Sequence, residues 1–248
     1  MKKLRIAVIQ INSGRETGRN LRKLAKLVAG VRSVDIIALP EVYSMRGSSD
    51  DYRKAAQPLD GPEIRLVADL ARRKSAWVLA GSIIEKAGGK TYNTSVLIDR
   101  KGRVAASYRK IHLFEAHLED GKHIREADAY SAGRKPVLTD IEGWRSGMEV
   151  CYDLRFPELS RRYAARGAVL LFFPSNFTQR TGRDHWEVLL RARAIENQCF
   201  VVAPNQCGVN EAIGVVSHGH SMVVGPWGEV LCEAGSSETV LTTELDPR

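Results

Sequence analysis

The segment GMEVCYDLRFPEL at residues 147–159 sets one cysteine, Cys151, between an extended apolar stretch and a proline suited to the first turn of a helix. A thiol at the carboxyl end of a buried strand lies where α/β folds carry out their chemistry, and there it can attack a carbonyl carbon. A lone cysteine is otherwise a small core residue. Other motifs fall away. GGKT at 88–91 lacks the first glycine of a phosphate-binding loop, because Ile84 stands there, and it precedes a strand rather than a helix. GHSMV at 219–223 lacks the closing glycine of a nucleophile elbow and reads as a strand. His218 and His220 have no carboxylate or cysteine at zinc-ligand spacing, so no metal site is expected. Cys199, Cys207 and Cys232 show no CxxC or finger spacing and are expected to be structural.

The elements that would position Cys151 can be read from periodicity. Residues 4–11, 34–39, 77–84 and 168–173 are apolar and β-branched, as in buried strands. Residues 92–98 and 104–109 form a hairpin through Asp99 and Gly102, and 137–141 and 146–151 are further strands. Helices are expected over 20–32, 61–74, 157–165 and 184–198. Strands close the chain at 200–203, 220–224, 228–232 and 239–244, while 111–135 reads as a long polar loop of the kind that carries function. Strands alternate with helices without a Pro-, Gly- or Ser-rich linker, which predicts a single α/β domain over 1–248. Adjacent strands without a helix between them make the sheets mixed.

Composition narrows the function classes. The chain has 248 residues, 44% of them hydrophobic, which excludes disorder as the main state. The longest apolar runs fall far short of a membrane span, and residues 1–10 lack the features of a signal peptide, so a cytoplasmic protein without a membrane partner is expected. The net charge of +8 raises nucleic acid as a partner, but the basic residues are dispersed. Their densest run, 19–26, has the spacing of a solvated helix face, so no nucleic-acid partner is expected.

CYDLRFPEL resembles the cysteine signature of the nitrilase superfamily of carbon–nitrogen hydrolases. Other segments resemble that family in the same order: ALPE at 38–41, its glutamate segment, and YRKIHLF at 108–114, its lysine segment. Thr181-Gly182, HWE at 185–187, RARAIEN at 191–197 and GHSMVVGPWG at 219–228 are most similar to the Nit branch, which holds ω-amidases and deaminated glutathione amidases. The resemblance spans residues 4–246. It implies a four-layer α-β-β-α sandwich of two mixed sheets with outer helices, and subunits that pair into a homodimer or higher homo-oligomer. Because the sequence stops at residue 248, earlier than most of that family, the segment that often packs across the subunit interface is expected to be short or missing.

The resemblance also assigns roles. Cys151 is the nucleophile, Glu41 the base that passes the thiol proton to the leaving ammonia, and Lys110 the cation beside the oxyanion, where it would also favour the thiolate. The Tyr152 backbone N–H is the second oxyanion donor. A second glutamate orients substrate and lysine. Glu126 falls at its position, with Glu115 and Glu119 in the same loop as competitors. Asp153 and Arg155 read as loop-fixing partners of opposite charge. The loop 174–182 lines the acyl pocket in the family, which points to Asn176, Phe177, Arg180 and Thr181 as substrate contacts, with Arg180 suited to a carboxylate. Arg180 departs from the small or apolar residue usual in the Nit branch.

The expected protein is a cofactor-free, metal-free amidase that cleaves a small, carboxylate-bearing amide through a thioester and releases ammonia. Alternatives are an N-carbamoyl or ureido acid hydrolase, a nitrilase, or a catalytically silent binding module of the same fold.

Overall fold

Strand β1 (Leu4–Gln10) shows how the layers arise, because its alternate residues enter different cores. Ile6 and Val8 join a core between two sheets, with Trp144, Met148, Leu170 and Phe172 on its other side. Ala7 and Ile9 join a second core, with Leu24, Val28, Ile64 and Val67 of two helices. The computed structural model describes residues 1–117, 121 and 123–247.

After β1 come α1 (Thr17–Ala29), β2 (Ile36–Ala38), α2 (Ser49–Ala55) and α3 (Pro62–Lys74). The strands β3 (Trp77–Ala87), β4 (Lys90–Ile98) and β5 (Val104–Arg109) come next, then a small hairpin, β6 (Glu115–His117) and β7 (His123–Arg125). The second half opens with β8 (Val137–Ile141) and β9 (Trp144–Met148), a 3₁₀ turn over Cys151–Arg155 and α4 (Pro157–Ala164). It continues through β10 (Leu170–Phe172), α5 (Gln179–Asn197), β11 (Phe200–Ala203) and the hairpin β12 (Cys207–Asn210) and β13 (Val215–His218). The chain ends in β14 (Met222–Val224), β15 (Val230–Glu233) and β16 (Thr239–Leu245).

One six-stranded sheet has the order β16-β1-β2-β3-β4-β5 and the other β15-β14-β11-β10-β9-β8. Both are mixed. In the first, β1, β2 and β3 are parallel, and β16, β4 and β5 run against their neighbours. In the second, β9, β10 and β11 are parallel and the flanking strands antiparallel. The expected α-β-β-α sandwich is the observed fold. Among the described residues no helix is long and apolar enough to cross a membrane.

Several elements differ from the sequence reading, among them the hairpin of β12 and β13, which stands where no element was expected. The stretch 111–135 is not wholly irregular, since it contains the β6–β7 hairpin and a 3₁₀ turn at Glu126–Asp128. Helix α2 stands where no element was expected. Its signal is local: the Ser48 side chain accepts from Asp51 N–H, and the Asp51 carboxylate accepts from Ser48 N–H, a reciprocal cap. Helix α5 begins five residues earlier than expected, capped by the Thr178 side chain.

Glu63 in the first turn of α3 is buried, and burial pushes its carboxyl up to about 7, opposed by hydrogen bonds from Ser44 and Gln57. Its folded pKa lies above the unfolded value near 4.5, so native Glu63 holds its proton where the unfolded chain releases it. Stability is therefore complete below about pH 4.5 and falls as pH rises through 7. A Glu63→Gln variant should match the parent at low pH and exceed it above pH 7 by up to about 3 kcal/mol. Urea titrations at several pH values measure the difference; a constant offset at all pH values would contradict the assignment.

Candidate active site

The carboxyl ends of β2, β5 and β9 converge on one cavity. Beyond β2 the chain turns at Pro40, which leaves Glu41 buried. The turn is held tightly: Val42 has φ of 48°, a left-handed conformation that is rare for a β-branched residue. Its N–H donates to Ser82 Oγ at 3.0 Å, and Gln206 Nε2 donates to the Glu41 carbonyl at 3.0 Å. Strand β3 passes so close that a Cβ on Gly81 would lie 1.8 Å from the Pro40 carbonyl oxygen, so only glycine fits.

Lys110 comes directly after β5 and is 1% exposed. Its backbone N–H donates to the Asn93 carbonyl at 2.8 Å, and its Nζ lies 2.9 Å from Glu41 Oε1 and 2.9 Å from Glu126. Asn93 Nδ2 donates to the same Glu41 oxygen at 2.8 Å, so one residue of β4 fixes both partners. Glu126 Oε2 also accepts from the Phe114 N–H at 2.7 Å. Burial alone would push the Lys110 amine down, but Glu126 and Glu41 outweigh it and hold the ammonium well above its ordinary range. Burial raises the Glu126 carboxyl, opposed by Lys110. Of the other candidates for the second glutamate, Glu115 is exposed and paired with His123 and Arg125, and Glu119 lies outside the described residues.

Cys151 heads the 3₁₀ turn with φ of 49°, and its N–H donates to the Pro174 carbonyl at 3.0 Å. Positive φ at a non-glycine costs on the order of 1–3 kcal/mol, and here it adjoins both Glu41 and the sulfur. The strand ends at Met148, short of the expected residue 151, which leaves this turn free to aim the thiol. Burial, then the charge of Glu41, pushes the Cys151 thiol well up, against the opposing pull of Lys110 and the Asn176 N–H. Lys110 pulls toward the thiolate as expected, but burial and Glu41 outweigh it and favour the protonated thiol. The other cysteines are also raised by burial, Cys199 to about 12 and Cys207 and Cys232 to about 11, and none of them lines the cavity.

Asp153 joins the cysteine turn to the lysine segment. Its carboxylate accepts from Val150 N–H at 2.9 Å, Tyr108 OH at 2.7 Å, and His112 N–H and Nδ1 at 3.0 and 2.7 Å. It fixes loops, as expected. Arg155 does not pair with it. Its guanidinium sits 5.8 and 5.6 Å from the Tyr152 and Phe177 ring centroids, donates to His185 Nδ1 at 3.2 Å, and lines the cavity.

The cavity holds about 180 Å³ and is walled by Tyr52, Phe114, Tyr130, Tyr152, Phe177 and Ile213, with Glu41, Glu126 and Cys151 among its polar lining. Asn176, Phe177 and Thr181 line it as expected. Arg180 is exposed and is not among the lining residues, because the turn from β10 into α5 aims Thr181 inward and the preceding side chain outward. Sequence reasoning missed Tyr52 on α2, and Asn210, Val215 and Ser217 on the β12–β13 hairpin.

The carbon-nitrogen hydrolase family model matches residues 5–248. The chain belongs to the carbon-nitrogen hydrolase family. Among its relatives in this hydrolase family is a deaminated glutathione amidase of Synechocystis, 35% identical over all of this chain and 93% of that protein. Omega-amidase NIT2 of Danio rerio is 33% identical over 99% of this chain and 89% of its own length. Saccharomyces cerevisiae Nit3, a crystal structure from the nitrilase superfamily, superposes with a TM-score of 0.89 at 30% identity, covering 99% of this chain and 91% of that one. These matches carry the amidase reading across the whole hydrolase fold.

Proposed function

We propose that this carbon-nitrogen hydrolase cleaves the terminal amide of a small acid, with Cys151 as nucleophile. One observation carries the reading: the buried Lys110 and Glu41 and the partly buried Glu126 form a hydrogen-bonded cluster at the wall of an aromatic cavity that Cys151 also lines. Such a cluster supplies each part an amide needs. Glu41 takes the thiol proton as sulfur bonds to the amide carbon, and the carbonyl electron pair moves onto oxygen. Lys110 and the Tyr152 N–H hold that oxyanion. Its collapse breaks the C–N bond, and the departing nitrogen takes the proton from Glu41 to leave as ammonia. Water then attacks the thioester carbon while Glu41 accepts its proton. The second oxyanion collapses, the C–S bond breaks, and the sulfur recovers the proton as the acid departs. A neutral resting thiol suits this scheme, because the proton moves only when substrate is present.

The acid is recognised by charge. Arg155 is a cation facing the cavity, and its planar fork can donate two parallel bonds to a carboxylate. It takes the role that sequence reasoning gave Arg180. Arg155→Ala should lower kcat/KM for succinamate tenfold or more, as expected for loss of a charge-assisted hydrogen bond of about 1.5–3 kcal/mol. It should spare the neutral methyl ester, and Arg180→Ala should change neither. A selective loss on the acid in Arg180→Ala, with Arg155→Ala silent, would reverse the assignment. Ammonia release from amides, ureido acids and nitriles, measured side by side, tests the reaction class.

A further inference from the structure

Arg46 is fully buried, and among the described residues no carboxylate pairs with it. Burial lowers its guanidinium only to about 10, so it stays charged at neutral pH. Neutral acceptors surround it. Nε donates to the Ser13 carbonyl at 3.0 Å, Nη2 to the Cys207 carbonyl at 3.1 Å and to Asn12 Oδ1, and Nη1 to Ser217 Oγ and, at 3.5 Å, to Asn176 Oδ1. An unpaired buried cation is costly to desolvate, so a packing role alone is a poor account of it.

The guanidinium sets the direction of the hydrogen bonds around it, because arginine can only donate. Ser217 Oγ therefore accepts from Arg46 and must turn its own proton elsewhere; it donates to Asn176 Oδ1 at 2.6 Å. The Asn176 oxygen is thus committed to the Arg46 side. The carboxamide cannot flip, because its NH2 would then face two groups already donating toward it. Asn176 lines the cavity and its backbone N–H acts on Cys151, and Nδ2 makes no hydrogen bond to a described residue.

We infer that Arg46 is a positioning residue which, through Ser217, locks the Asn176 NH2 toward the cavity, so that the site selects acyl chains carrying a hydrogen-bond acceptor. The inference rests on the amidase reading but concerns a feature separate from Arg155, because an uncharged acceptor satisfies it. The test pair is methyl succinamate and hexanamide, both neutral and similar in length, of which only the first carries an acceptor in its chain. The folded wild-type enzyme should prefer methyl succinamate in kcat/KM. Ser217→Ala and Asn176→Asp should each reduce that preference about three- to tenfold, chiefly through KM, and Ser217→Thr should retain it. Arg46→Gln, which is no longer purely a donor, should behave as Ser217→Ala; should it fail to fold, Ser217→Ala decides, since it leaves the other Arg46 bonds in place. An unchanged preference, or equal losses on both amides, overturns the inference. If the wild-type enzyme releases ammonia from neither amide, the amidase reading is decided separately by succinamate, and it fails if that too is not cleaved. The relay is then decided by calorimetric binding of monomethyl succinate against hexanoate. A preference for the ester that falls in Ser217→Ala supports it, and a preference that is absent or unchanged overturns it.

Discussion

Cys151→Ala, Glu41→Gln and Lys110→Met should each lower turnover of a small ω-amide by on the order of 10⁴-fold or more, and their losses should not add. Each removes a part without which the others have nothing to act on. Cys151 provides the only sulfur lining the cavity among the described residues, Glu41 the carboxylate that accepts the proton, and Lys110 the buried cation that holds both Glu41 and Glu126 at 2.9 Å. A double variant of Cys151→Ala with Glu41→Gln should be no slower than the worse of its parents. Full kinetics on purified variants measure this. A Lys110→Met enzyme of near-normal rate would place oxyanion stabilisation elsewhere, and multiplicative losses would mean that the residues act independently.

Lys110→Met should also destabilise the fold by about 3–5 kcal/mol, although methionine fills much of the same volume. The ammonium is 1% exposed and stands between two carboxylates, so its removal leaves the buried Glu41 and the partly buried Glu126 without a counter-charge. Burial already raises the Glu126 carboxyl against the pull of Lys110, so without that pull native stability would fall as pH rises through its raised value. The gap to wild type should be smallest in acid, where Glu126 is protonated in either state, and widest at neutral pH. Adding Glu126→Gln should recover part of the loss by removing one buried charge. Urea unfolding of the single and double variants reads these differences. An unchanged midpoint in Lys110→Met at neutral pH would show that water, not protein, neutralises the site.

Much of this site is legible because its segments resemble those of the carbon-nitrogen hydrolase family, and the structure sets each of them at a strand end. Glu41 stands just beyond the apolar run 34–39, Lys110 just beyond the hairpin strand 104–109, and Cys151 precedes a helix marked by Pro157. Period-two alternation in β1 likewise shows which residues must be covered on two sides. What the sequence hides is direction. Whether Arg155 or Arg180 faces the cavity depends on a 3₁₀ turn and on where α5 begins, and no periodicity governs either. The β12–β13 hairpin is short and joined by a turn rich in ordinary residues, so its contribution of Asn210 and Ser217 emerges only in three dimensions. Arg46 lies in an irregular stretch between Glu41 and α2, and its burial depends on acceptors from residues 12, 13, 176, 207 and 217. The protonation of the thiol is hidden for a related reason: adjacency to Lys110 is visible in the motifs, but the desolvation that outweighs it is not.

The most direct test of the mechanism is acid quench of the enzyme during turnover of succinamate, followed by peptide mass analysis. One succinyl group should be found on the peptide containing Cys151, none on those containing Cys199, Cys207 or Cys232, and none in Cys151→Ala. Acylation of another residue, or ammonia release that persists in Cys151→Ala, would contradict a Cys151 thioester.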